Sequence, residues 1–310
     1  MTLKKEDDNL NNFNINKLTY ESALSFHSLT ITCIIQLKDG RLVSGSKDKR
    51  IIIYIKKIFT KSFEINEHTE EISSLLQLKT EFLASSSFDK YIKIFKINEN
   101  NYETIQSIKA HDNFIHKIIE LSNGNLISCS LDKNIKIFNL ENGIYIENFK
   151  FIEEKWICNI LETIPLNLVA AHINIMGNIN LKFYDLIKRE PKQILFNLEV
   201  AFVNTLEMIS KNLLIIGEVE YLTVINVENY QNIKNIKIGN ILISVCYKLN
   251  DNILLTGDVV GNIKQWKIED NNLILENIKE KAHNKGITSI IKLQNNKLAT
   301  SSIDKTIRIW

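Results

Sequence analysis

Four stretches of this chain are near-copies of one another: RLVSGSKDKRIIIY (41–54), FLASSSFDKYIKIF (82–95), NLISCSLDKNIKIF (125–138) and KLATSSIDKTIRIW (297–310). Each is anchored on a leucine: Leu42, Leu83, Leu126 and Leu298. Six residues on stands an aspartate (Asp48, Asp89, Asp132, Asp304), and twelve on an aromatic (Tyr54, Phe95, Phe138, Trp310). Fifteen residues before each anchor stands a histidine: His27, His68, His111 and His283. A ruler with three marks, matched four times, is not coincidence. It means that the fold repeats one small unit, since a single unit of this size cannot bury its apolar face alone.

Three looser copies fill the gap, at Leu168 (LVAAHINIMGNINLKFYD), Leu213 (LLIIGEVEYLTVI) and Leu254 (LLTGDVVGNIKQW). The seven anchors are then 41, 43, 42, 45, 41 and 44 residues apart. A period of about 40–45 residues suits a propeller blade of four short strands. The local pattern agrees. A β-branched run such as IleThrCysIleIle precedes each anchor, the anchor opens a second strand, and Asp-Lys makes a tight turn. A third strand then alternates, as in TyrIleLysIlePhe, and the 14 to 17 residues before the next histidine hold a fourth, outer strand.

On these residues the chain resembles the WD-repeat family over positions 13–310, with four close copies and three loose ones. The family's Gly-His dipeptide is reduced here to a histidine after Phe26, Glu67, Ala110 or Ala282, and its Trp-Asp dipeptide is nowhere intact. The expected fold is all-β: a seven-bladed β-propeller of four-stranded antiparallel blades, closed by the N-terminal strand joining the last blade. Blade seven runs out at Trp310 after three strands, so residues 13–26 are expected to supply its fourth. Closure of this kind leaves no open sheet edge. Residues 1–12 read as a disordered polar tail and 13–310 as the propeller.

Composition narrows the setting. Apolar residues are 45% and charged ones 24%, as in globular proteins. Thirty-eight basic residues against 36 acidic ones, a net +2, make no electrostatic case for direct nucleic-acid binding. Cys33, Cys129, Cys158 and Cys246 are far apart and show no CxxC spacing, so neither a zinc site nor a disulfide framework is expected. Cys33, Cys129 and Cys246 sit in apolar runs and read as buried free thiols. The opening MTLKKEDDNL lacks the apolar core of a secretory signal, and no run approaches the roughly 18 apolar residues of a membrane span. The expectation is an intracellular protein, cytoplasmic rather than nuclear.

Recurrent His, Asp and Ser invite a catalytic-triad reading. Four copies of one active site around a ring argue against it. The family resemblance implies instead a buried network, His27–Asp48, His68–Asp89, His111–Asp132 and His283–Asp304, that ties a loop to the turn and, through Trp310, to the third strand. Tyr54, Phe95 and Phe138 lack an indole N–H, so those three blades are expected to lose a donor. His116 and His172 have no second ligand at metal-site spacing and read as ordinary. GlyAspValValGly at 257 lacks the Lys of a phosphate loop, and the Gly261 segment reads as a turn. Glu70–Glu71 and Glu153–Glu154 read as solvated loop acids. No cofactor, metal or catalytic residue is expected.

Binding on a propeller belongs to its loops. One loop position precedes the turn aspartate: Lys47, Phe88, Leu131 and Ile303, with Glu218 and Val259 in the loose copies. Another opens the first strand: Thr30, Glu71, Phe114, Trp156, Ala201, Leu242 and Gly286. Apolar residues in tight turns mark a partner surface, so Phe88, Phe114, Leu131 and Trp156 are expected to form one patch over blades two to four, with Ile303 and Lys47 on the same face. The alternative is that Phe114 and Trp156 turn inward and plug the channel. The function expected is a monomeric, non-enzymatic scaffold that binds peptides or partner domains within a multiprotein complex. A propeller enzyme with a central-channel site, or an RNA-processing subunit, are the alternatives. The first needs charged groups on the channel and the second a basic loop face.

Overall fold

The computed structural model describes residues 13–173, 179–198, 205–217, 220–239, 241–269 and 272–310. They form seven four-stranded antiparallel sheets. Blade one comprises Ile31–Gln36, Leu42–Ser46, Ile51–Tyr54 and Lys61–Ile65, from innermost to outermost. Blades two to six repeat this plan, their first strands being Ile72–Gln77, Ile115–Glu120, Trp156–Ile164, Leu206–Met208 and Ile243–Asn250. Blade seven combines Ile287–Lys292, Leu298–Ser302 and Ile307–Ile309 with Ser22–Leu24 from the head of the chain. Each first strand lies against that of the next blade, and blade seven's against blade one's, so the seven line a central channel. This is the expected all-β seven-bladed propeller.

The second strand of each copy is sandwiched between neighbouring blades, which explains its sequence. In LeuValSerGlySer (42–46) every residue is buried; Leu42 packs towards blade seven and Val43 towards blade two. Large residues start the strand and small ones end it, because the blades converge there. A Cβ on Gly45 would lie 2.5 Å from Ile72 Cγ2 of the next blade. Seven apolar clusters result, one in each of the seven blade interfaces. The Asp-Lys turns are equally local in origin. Lys49, Lys90, Lys133 and Lys305 take positive φ (69° to 77°), and the aspartate before each accepts the backbone N–H two residues on, as Asp48 does from Arg50 at 3.1 Å.

The head of the chain closes the ring with Ser22 opposite Ile309 and Leu24 opposite Ile307. The expected strand over 13–26 is shorter than its sequence suggested. Ile15–Lys17 is a 3-10 turn bound to blade six instead: Gln265 Oε1 accepts from Ile15 N at 3.0 Å and Gln265 Nε2 donates to Phe13 O at 2.8 Å. Ile15 is buried there beside Trp310. Blade five also corrects the anchor. Ile209 N donates to Leu213 O as Leu37 N does to Arg41 O, and Leu214 pairs with Ile225 as Leu83 pairs with Phe95. Leu214, not Leu213, is therefore the equivalent residue; adjacent leucines offered two frames and the hairpin took the other. Residues 1–12, Ala201, Glu218 and residues 174–178 of the fourth copy lie outside the described residues.

Candidate functional site

The recurrent histidines are sealed. His27 Nδ1 faces Asp48 Oδ2 at 2.9 Å and its Nε2 faces Ser44 Oγ at 2.7 Å. The same relay links His68 to Asp89 and Ser85, His111 to Asp132 and Ser128, and His283 to Asp304 and Thr300, at 2.7–3.0 Å. Burial pulls the carboxylates up, but hydrogen bonds from His27 and Arg50 hold Asp48 well below the ordinary range, and His111 and His283 do the same for Asp132 and Asp304. With the carboxylate ionised, Nδ1–H donates to it and Nε2 accepts from the hydroxyl. Ser44, Ser85, Ser128 and Thr300 are fully buried, so this hydroxyl-imidazole-carboxylate order has no path for a substrate to the oxygen.

The third-strand aromatic reaches a second-strand hydroxyl in more blades than expected. Trp310 Nε1 donates to Thr300 Oγ1 at 2.9 Å, and Trp266 Nε1 to Thr256 Oγ1 at 2.9 Å in blade six. In blade one the Tyr54 hydroxyl lies 2.9 Å from Ser44 Oγ, so no donor is lost there; the phenol reaches where the indole would. Blade four builds a different relay. The Tyr184 hydroxyl donates to Glu153 Oε1 at 2.8 Å and lies 2.9 Å from His172 Nε2, while Lys182 Nζ bonds Glu153 at 2.7 Å. Glu153 is thus an internal ligand rather than a solvated loop acid, and His172 is a buried network member rather than an ordinary residue. Glu70 and Glu71 do lie at the surface, paired with Lys49 and Lys47.

On the loop face, Phe88 and Phe114 stack with ring centroids 4.6 Å apart and planes 3° from parallel. His116 meets Phe88 edge-on at 5.5 Å. Phe114 is 39% exposed and Trp156 37%, so neither is fully withdrawn into the channel. Leu131 N bonds Phe114 O, which sets the blade-three turn beside the aromatic pair. Ile303 and Val259 are exposed on blades seven and six, and Gly286 is sunk between them: its Cβ would lie 3.2 Å from Ile303 Cδ1. Lys47 is neutralised by Glu71 at 3.0 Å.

The model of the WD domain, G-beta repeat, matches residues 18–54, 102–139 and 276–310. Each match runs from an outer strand, or the approach to one, through the first three strands of the following blade, the same offset by which the ring closes. The chain is a WD-repeat propeller. No curated protein matches it.

The WD-repeat ring also carries groups that the sequence reading passed over, because only the opening residues of the first strands were considered for the channel. Lys117 pairs with Cys129 at the register position held by Cys33, Ser74, Val245 and Ser289 in other blades. Its Nζ donates to Asn159 Oδ1 at 2.9 Å, and burial lowers its pKa. Glu207 stands where other blades have Ile35, Leu76, Ile119 and Ile291; burial raises its pKa. The signal was present: among ITCIIQ, ISSLLQ, IHKIIE and ITSIIK, only the third puts a charge at the third place. Among the described residues no cluster of His, Cys, Asp and Glu suits a metal ion, and no helix is long and apolar enough to cross a membrane.

Proposed function

We propose that this propeller is a non-enzymatic scaffold that binds peptides or partner domains on its loop face. Propellers of the family generally serve as protein-interaction scaffolds. The observation that carries the reading here is the stacked, half-exposed Phe88–Phe114 pair with Trp156 on the next blade. Two parallel aromatic rings at the surface, one in a tight turn and one at the opening of a first strand, are a rigid apolar platform, the kind of feature that dominates interface energetics. Leu131, Ile303 and Lys47 extend the same face. A non-enzymatic role is supported by the sealing of all four His–Asp relays.

The partner is another protein or a peptide, with the propeller acting as a monomer inside a larger complex; the lone Lys47 on the ring, already paired, does not favour nucleic acid. The four cysteines are free thiols, Cys129 and Cys246 buried, with Cys33 pushed up to about 11 by burial, which supports a reducing, cytoplasmic setting. The test is a Phe88→Ser/Trp156→Ser double variant. Affinity purification should lose the partners that the parent retains, while the melting temperature moves by no more than about 3 °C. A parallel collapse of stability would instead make these rings a channel plug.

A further inference from the structure

Blade three places an imidazole against the aromatic platform and, next to it in the strand, a buried lysine that reaches towards blade four. In blades one and seven the second residue of the first strand is a threonine that donates to the first strand of the next blade: Thr32 to Ile72 O at 2.7 Å and Thr288 to Ile31 O at 2.6 Å. In blade three that residue is His116. A register shift between Ile115 and Lys117 makes it a bulge residue, so His116 and Lys117 are both freed from strict alternation. His116 forms no hydrogen bond among the described residues; its ring lies against Phe88.

Lys117 is underpaired. An ammonium has three donors, and among the described residues it uses one, on the neutral amide of Asn159. Glu207, two blades on, attracts it but forms no ion pair with it. A desolvated ammonium with no ion-pair partner among the described residues is costly, and burial accordingly lowers the Lys117 pKa. An inserted apolar side chain would deepen that cost and a basic one would be repelled. A carboxylate would relieve it, with the adjoining platform taking an apolar neighbour.

We infer that the channel mouth over blades two to four is a socket for an acidic residue of a docked peptide, its carboxylate bound by Lys117 and its apolar neighbour by Phe88 and Phe114. The inference rests on the loop-face reading above and names the partner's chemistry.

Phage-displayed random peptides selected on the full chain provide the test. Enriched peptides should carry Asp or Glu beside an aromatic or large aliphatic residue. In a synthetic winner, changing that acid to its amide should raise Kd about tenfold. Lys117→Met should do the same, and the two changes together should add little. Lys117→Gln, which keeps a donor for Asn159, serves if the methionine variant melts early. Peptides that lack an acid, or whose binding ignores both Lys117 variants while Phe88→Ser abolishes it, would overturn the socket and leave the face standing. Binding indifferent to Phe88→Ser as well, or no enrichment at all, would overturn both. Displacement of the peptide by millimolar inorganic phosphate, with equal Lys117-dependent affinity for phosphate alone, would assign the site to free anions and also overturn the inference.

Discussion

His172 stands at the register position where blades one, two, three and seven carry Ser46, Ser87, Ser130 and Ser302. Burial pushes its pKa down to about 4, with Lys182 and Lys155 adding to the effect and Glu153 opposing it. The ordinary value is 6.5, so below that pH the unfolded chain takes up a proton that the folded chain refuses. The neutral imidazole therefore contributes its full stability above about pH 6.5, and the contribution drains away as the pH falls towards 4. The loss amounts to up to about 3 kcal/mol. Urea unfolding from pH 7.5 to 4.5 should show a steeper decline for the parent than for His172→Asn, which cannot titrate. Parallel slopes would mean that His172 takes up its proton at the same pH in the folded chain as in the unfolded one. The four ruler aspartates, held low by their histidines, act at still lower pH and leave this window clear.

Single turns decide how well a strand pair closes, and the turn of blade six shows how tightly. The Asp258 carboxylate accepts from the N–H groups of Val260, Gly261 and Asn262 at 2.9–3.0 Å, and Gly261 takes φ +102°. Its carbonyl accepts from His283 N at 2.9 Å, so the turn is pressed against the blade-seven loop that carries the His283 relay. A Cβ at 261 would lie 2.3 Å from His283 O, a backbone atom that has no room to move. Gly261→Ala should cost at least about 3 kcal/mol in urea unfolding, from strain and collision together. Gly124→Ala, at φ +89° with nothing within 4 Å, isolates the strain alone and should cost about 1 kcal/mol. Equal costs would show that the loop yields. Turns of this kind were legible because Asp-Lys and Gly-Asn have one local solution. The blade-five register was not, because Leu213 and Leu214 satisfy the same period and only the hairpin hydrogen bonds choose between them. The channel charges are legible too, because Lys117 breaks the pattern at the third place of its first strand, a place the opening residues do not reveal. The blade-four relay was hidden for a different reason: Glu153, His172, Lys182 and Tyr184 meet only across strands, at spacings no other blade repeats.

Across the whole ring, neighbouring blades are tied by a belt on the hairpins that join first and second strands. Lys38 N donates to Gln77 Oε1, Lys79 N to Glu120 Oε2 and Ser122 N to Glu162 Oε2, at 2.7–2.8 Å. Gln294 N donates to Gln36 Oε1 at 2.8 Å, which carries the belt over the junction between blades seven and one. The acceptors are the residues six before each anchor, Gln36, Gln77, Glu120 and Glu162, another periodic mark in the sequence. Beyond blade four the belt changes chemistry and direction: Lys248 N of blade six donates back to Glu207 Oε1 of blade five, and Lys292 N of blade seven to the Tyr247 hydroxyl of blade six, with acceptors one residue earlier in register. The junction of the chain ends therefore has two seams. The inner one is Gln294–Gln36 with Thr288–Ile31, and the outer one is Ser22–Leu24 against Ile307–Ile309, backed by the buried Leu24 and Ile15. Deleting residues 1–26 removes only the outer seam. Losing two buried aliphatic side chains costs about 2–5 kcal/mol each, a large share of a total stability of about 5–15 kcal/mol, and it bares a strand edge. The truncated chain should melt at least about 10 °C lower and self-associate by light scattering, whereas a chain beginning at Phe13 keeps every closing contact named above and should behave as the parent. Leu24→Ala should fall between them. If the chain lacking residues 1–26 melts with the parent and stays monomeric, the inner seam alone holds the ring and the borrowed strand is dispensable.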